Sequence, residues 1–125
     1  MKLREAMERV DEIRPNMTAP ELKIAALSEL DGLVWREIIH RHEFDGEEPE
    51  MPAYDGNTDP DTVLLVPFPY DNIYTYWLMA KIDEQTLELD KYNNDRIMFN
   101  AAWESFSDWW TRSHMPKTNV RELRI

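Results

Sequence analysis

Phe99, Trp103, Phe106 and Trp110 follow one another at alternating steps of four and three residues. At about 100° per residue they fall within roughly 60° of one another on a helix. A short helix carrying so much aromatic surface must bury it, either against neighbouring elements or against another protein. Asn93-Asn94 ahead of the stripe reads as a helix start, and Met115-Pro116 after it as a stop. Nothing in the stretch has the pattern of a catalytic group, so it points to packing and assembly. Trp109 lies about 100° round the helix from the stripe. It has two open readings, burial within the domain or membership of a contact surface with Trp35, since aromatics are enriched at interfaces.

The rest of the chain indicates a single helical domain over residues 1–116, followed by a short basic amphipathic tail over 117–125. At 125 residues it is long enough for one core. Three glycines disfavour a turn-rich all-β fold. A formal net charge of −11 argues against direct binding to nucleic acid, which is held by excess Lys and Arg, and against an anionic membrane surface. Cysteine is absent, which removes disulfides, thiolate zinc sites and cysteine nucleophiles. The charged start Met1-Lys2-Leu3-Arg4-Glu5 lacks the apolar core of a signal peptide, and Val63-Leu64-Leu65-Val66 is far too short to span a bilayer. A soluble, unsecreted protein is expected.

Four helices are expected, in an all-α bundle with a long acidic loop between the second and third. The first covers Leu3 to Ile13, with Leu3, Met7, Val10 and Ile13 on one side, and Pro15-Asn16 ends it. The second opens at Thr18-Ala19-Pro20-Glu21, which reads as a capping box with proline in the first turn. Its apolar stripe is Leu27, Leu30, Val34 and Ile38, and Gly32 within it would either kink the helix or admit a close neighbour. The third begins near Pro69-Tyr70-Asp71, with Ile73, Trp77, Ala80 and Leu87 on one face and Leu78, Ile82 and Leu89 roughly opposite. Apolar residues on both faces fit a helix wrapped by neighbours. Asn93-Asn94 would then break or bend the chain, giving either an antiparallel hairpin or one long bent helix. The expected core is Leu27, Leu30, Val34, Ile38, Ile73, Trp77, Phe99, Trp103, Phe106 and Trp110.

Residues 43–61 hold eight carboxylates, no Lys or Arg, three prolines and two glycines, and read as a solvated loop. Val63 to Val66 is either a short extended piece or a buried lead-in to the third helix. Asp55, Asn57, Asp59 and Asp61 alternate like the first ligands of a calcium loop. The pattern then fails, with Pro60 where glycine is needed and Val66 where the bidentate glutamate belongs. The same residue types are ordinary turn formers, which is the preferred reading. His40 and His42, two apart, do not share a helical face, and His114 stands near a helix end where its positive form would suit the dipole. No phosphate-binding glycine loop or nucleophile elbow is present, and no pair of acids stands out, so no catalytic, cofactor or metal residue is assigned.

The charge distribution offers an interface instead. The loop carboxylates Asp55, Asp59 and Asp61 face no cation nearby in sequence. The tail carries Lys117, Arg121 and Arg124 with Val120, Leu123 and Ile125. Head-to-tail association of copies, tail to loop or groove, would close into a ring where the rotation allows. A frayed terminus is the alternative.

Several segments resemble one family. They are Leu3-Arg4-Glu5-Ala6 with Arg9-Val10-Asp11, Leu27-Ser28-Glu29-Leu30-Asp31-Gly32, Tyr54-Asp55 with Thr58-Asp59, and Asp61-Thr62-Val63-Leu64-Leu65-Val66-Pro67 with Tyr70-Asp71. Tyr92-Asn93-Asn94, Phe99-Asn100-Ala101-Ala102 and Trp110-Thr111-Arg112 with His114-Met115-Pro116 complete the set. Together they resemble small proteins encoded in the head-morphogenesis region of tailed phages and prophages of Gram-positive bacteria. By size and helical layout these are similar to head–tail connector (adaptor) proteins. The resemblance implies a small helical bundle that forms a ring beneath the portal protein and grips neighbouring copies through termini or loops. It implies a place in the virion neck, preceded by the host cytoplasm, and lends no catalytic residue. The competing expectation is an acidic DNA mimic or regulatory inhibitor of a host protein, because a negative field can imitate phosphates.

Overall fold

The computed structural model describes residues 1–42 and 47–115. Among these, four α-helices and no β-strand are present: α1 (Leu3–Ile13), α2 (Pro20–Val34), α3 (Asn72–Gln85) and α4 (Leu89–Ser113). α2 runs on into one π-helical turn, Trp35–Ile39, closed by the His40 N–H donating to the Trp35 carbonyl at 2.7 Å. The loop of residues 40–71 follows, and an isolated antiparallel bridge joins its Val63 to Lys2. No described helix is long and apolar enough to cross a membrane.

The helices alternate in direction, as three sets of contacts show. Lys23, early in α2, meets Asp11, late in α1, at 2.6 Å, and Thr18 donates to Gln85 at the end of α3. Trp77 of α3 stacks obliquely on Phe99 of α4 at 5.0 Å, while Tyr70, ahead of α3, stacks on Trp109 at 5.1 Å. Residues earlier in α3 therefore meet residues later in α4, and the α3–α4 pair is an antiparallel hairpin.

Leu27, Leu30 and Val34 of α2, Ile38 of the π turn, Ile73 and Trp77 of α3, and Phe99, Phe106 and Trp110 of α4 are all buried. Trp103 is only half-buried at the margin of this core. α3 is buried on every side through Ile73, Tyr74, Trp77, Leu78, Ala80 and Ile82, as its two apolar faces require. The Trp77 indole N–H donates to the Ala26 carbonyl at 2.8 Å, which satisfies a polar atom in the middle of the bundle. Gly32 serves close approach: a Cβ there would lie 3.1 Å from the Met51 methyl of the loop.

Four local expectations are corrected. α3 and α4 part at Thr86–Glu88, and Asn93-Asn94 lies inside α4, so the asparagine pair neither breaks the chain nor starts the aromatic helix. The break is a Schellman turn, with Glu88 N–H donating to the Asp83 carbonyl at 2.9 Å and Leu87 N–H to the Glu84 carbonyl at 3.3 Å. Leu87 occupies its left-handed position at φ 59° and is 79% exposed, so neither it nor exposed Leu89 belongs to a packed face of α3. Thr18 does not cap α2: Ala19 holds that position with proline following it, and the Thr18 hydroxyl is used on Gln85 instead. Ile13 is exposed, while Ala6 joins Leu3 and Val10 in the core, because Arg14 takes the inward place at the end of α1.

A leucine at a left-handed position carries a steric cost of about 1–2 kcal/mol that glycine does not, offset in part by the greater freedom of glycine in the unfolded chain. Leu87→Gly is therefore expected to raise stability by about 0.5–1 kcal/mol in urea unfolding. A destabilised variant would mean that the exposed Leu87 side chain contributes more than its backbone strain costs.

Candidate interaction surface

The first turn of α1 is held by the acidic loop. A helix start leaves backbone N–H groups without intrahelical partners. Here Leu3 N–H donates to the Thr62 carbonyl and Arg4 N–H to the Pro60 carbonyl, both at 2.9 Å. The Arg4 guanidinium also donates to Asp61 at 2.9 Å, with Lys2 Nζ 3.9 Å from the same oxygen. The hydrogen bond from Arg4, with the charges of Lys2 and Arg4, holds the Asp61 carboxyl below the usual carboxylate range. Asp55 accepts from the Asn57 N–H at 2.8 Å, and Asp59 from the Asp61 N–H at 2.9 Å. Each carboxylate thus closes a tight turn on its own backbone. The alternating acids act as turn formers, and among the described residues no group of three or more His, Asp or Glu is placed to hold a metal ion.

Behind these turns the loop is fastened to the core by Asp31. That carboxylate, 0% exposed on α2, accepts from the Tyr54 hydroxyl at 2.6 Å, the Tyr74 hydroxyl at 2.6 Å and the Leu65 N–H at 3.1 Å. The Tyr74 hydroxyl in turn accepts from the Val66 N–H at 2.7 Å. Burial holds the Asp31 carboxyl above the ordinary carboxylate range, against the pull of the two tyrosine hydroxyls and the Leu65 N–H. Both tyrosines are pushed up by burial and by the Asp31 charge, which keeps them protonated as donors. Leu64 and Val66 are buried while Val63 is exposed, the alternation of an extended segment. The stretch Val63 to Val66 is therefore an extended piece, the first of its two readings. Tyr54 N–H donates to Ser28 Oγ, and the Trp35 indole N–H to the Pro49 carbonyl at 2.7 Å, so both sides of the loop are pinned to α2 and its π turn.

At the same end of the bundle the last turns of α4 meet the end of the loop. Trp109 is half-buried, stacked on Tyr70 and in ring contact with Phe106 and Trp110. It is a packing residue at the margin of the core. Trp35 is likewise half-buried and stacked on His40 at 4.4 Å. His40 also meets Glu48 at 3.2 Å, and His42 bonds the Ile38 carbonyl at 2.6 Å. His114 caps α4, stacks on Trp110 at 3.7 Å and bonds its carbonyl at 3.1 Å, as suits a helix C-terminus. Beside Tyr70 the loop exposes Phe68 to 84%, and Val63 and Met115 are also largely exposed. Asp55, Asp59 and Asp61 of the same loop are exposed as well, Asp61 against Arg4 of α1. Lys117, Val120, Arg121, Leu123, Arg124 and Ile125, like Glu43 and Asp45 of the loop, lie outside the described residues.

Of the candidate positions, Trp109 and the loop aspartates belong to the end of the molecule where α4 finishes and the loop holds the start of α1. Sequence reasoning missed Phe68, whose apolar side chain stands in a proline-rich stretch without periodicity, and it missed the Asp31 network. No protein-family model matches the chain, and no curated protein or solved structure matches it either.

Tyr74→Phe removes a donor to a buried carboxylate and also orphans the Val66 N–H, whereas Tyr54→Phe removes one donor at a half-buried position. We expect losses of about 3 and about 1.5 kcal/mol respectively in urea unfolding. Equal losses would show that the Val66 bond contributes nothing.

Proposed function

We propose that this chain is a structural protein of a phage particle, a head–tail connector that assembles as a ring on the portal protein. The observation that carries the reading is Phe68, a large aromatic held out at 84% exposure on a loop that is otherwise tied down at many points. Two residues further along the chain Tyr70 stacks on Trp109, and the same loop exposes the carboxylates of Asp55, Asp59 and Asp61. An apolar centre with a polar rim is the anatomy of a protein–protein interface. Rigid helices behind such a patch suit a part whose work is geometric. The basic residues Lys117, Arg121 and Arg124 provide charge of the opposite sign to the loop for contact between successive copies. The resemblance to phage head-morphogenesis proteins supplies the setting, with the portal protein and further copies of the chain as partners.

The acidic-inhibitor reading is less well supported. Asp61 is paired with Arg4 and Asp11 with Lys23, and the exposed Asp55 and Asp59 sit on tight turns of one proline-broken loop rather than along a regular rod-like surface.

Quantitative mass spectrometry of purified particles tests the role, with copies comparable to portal subunits expected. Absence from intact particles rejects the connector and moves the inhibitor to first place. Phe68→Ser tests the surface. Its side chain is solvated, so stability should stay within about 0.5 kcal/mol of the parent, while incorporation into particles should fall at least tenfold. Unchanged incorporation would remove Phe68 from the interface.

A further inference from the structure

At the opposite end of the bundle, Arg14 at the C-terminal cap of α1 faces two carboxylates, Asp83 of α3 and Asp95 of α4. Both aspartates are 1% exposed. The Arg14 guanidinium donates to Asp83 and lies 3.5 Å from Asp95 Oδ2, which among the described residues receives no hydrogen bond. Lys91 of α4 adds a positive charge acting on Asp83, and Lys23 of α2 is committed to Asp11. One guanidinium thus serves two buried acids, which also act on each other through a side-chain hydrogen bond. Two adjacent buried carboxylates resist ionising together, and a proton on Asp95 turns the contact into a hydrogen bond donated to Asp83.

We propose that Arg14, Asp83 and Asp95 form a proton-operated latch, which fastens the first turns of α4 to the ends of α1 and α3 and whose grip weakens as pH rises towards neutrality. The same residues build the hairpin: the Asp83 carbonyl accepts the Glu88 N–H that closes the Schellman turn, and Asp95 stands in the second turn of the helix beginning at Leu89. The elements on either side are therefore tied at one polar point.

The titration follows from the geometry. Burial, then the hydrogen bond and charge of Asp83, push the Asp95 carboxyl up to about 7 against the pull of Arg14. Burial acts in the same sense on Asp83, but its hydrogen bonds with Asp95 and Arg14 and the charges of Arg14 and Lys91 outweigh it and hold it below the ordinary 3.8. The closed latch thus keeps a proton that a solvated Asp95 would have lost above about pH 4. Opening releases that proton, so opening becomes about tenfold more favourable per pH unit between about pH 4 and 7, and levels off above.

Carboxyl 13C NMR of the intact chain, with amide hydrogen exchange corrected for its intrinsic pH dependence, tests this. Asp95 should titrate near pH 7. Protection of the Tyr92 amide, which donates to the Glu88 carbonyl, should fall about tenfold per unit between pH 5 and 7. Asp95→Asn keeps a donor towards Asp83 without a titrating proton, and its Tyr92 protection should be flat over that range. An Asp95 midpoint near 4 would overturn the latch. So would the same pH profile in parent and Asp95→Asn. If that variant does not fold, the titration of the parent chain alone decides.

Discussion

The buried Asp31 carboxylate is the constraint on which the arrangement of the molecule depends. Taking an ionised carboxylate out of water costs several kcal/mol, and only donors fixed in place can offset that. Asp31 draws its donors from three places, Tyr54 and Leu65 in the loop and Tyr74 in α3. α2, α3 and a stretch of more than ten loop residues can therefore satisfy it only in one mutual arrangement. An apolar residue at position 31 could bury as much surface while tolerating several placements of the loop. The carboxylate tolerates one, and that selects the positions of Phe68, Tyr70 and the acidic turns that follow from Tyr54 onwards.

The loop is long, acidic and proline-broken, yet fastened. Its carbonyls cap the start of α1, Tyr54 donates to Asp31 through its hydroxyl and to Ser28 through its backbone N–H, and Asp55, Asp59 and Asp61 are spent on tight turns and on Arg4. A loop that carries its negative charge on closed turns presents those charges at fixed positions, and fixed positions are what electrostatic complementarity needs. That is why the patch at this end is a better candidate for a specific contact than its composition suggests. Solvation of the acids and order of the backbone are compatible because different atoms are involved in each.

Most of the fold was legible in the residue pattern. α1 has the expected bounds, Phe99, Phe106 and Trp110 of the aromatic stripe of α4 are buried as expected while Trp103 is only half-buried, and α3 is central because its apolar residues point both ways. The hairpin break was not legible. A helix end of this kind usually carries glycine at its left-handed residue, and this one carries Leu87, while Asn93-Asn94, a good start signal, lies within α4 and is overridden by tertiary packing. The buried acids left a signal that a purely apolar reading passes over. Asp31 stands four residues after Leu27 and three before Val34, and Asp95 four residues before Phe99, each on the buried stripe of its helix. An acid in register with a core stripe has to be paired inside, so register would have singled out both. Their partners Tyr54, Tyr74, Arg14 and Asp83 are distant in sequence, and only the folded chain brings them together.

The two polar clusters divide the bundle's ends by chemistry. Asp31 is surrounded by neutral donors, with no second acid against it, so its fastening of the loop does not depend on a shared proton. Asp83 and Asp95 are two acids against one guanidinium, and such a cluster is balanced only while it keeps a proton. α4 connects the two ends, with Asp95 in its second turn and Trp109 near its last. At 1.5 Å per residue they lie about 21 Å apart along the helix. Between them Phe99 and Phe106 are packed against the core, Phe99 on Trp77 of α3, ahead of the Tyr70–Trp109 stack at the far end. Stability along one helix is thus graded, low where its hold is ionic and proton-dependent, high where it is aromatic.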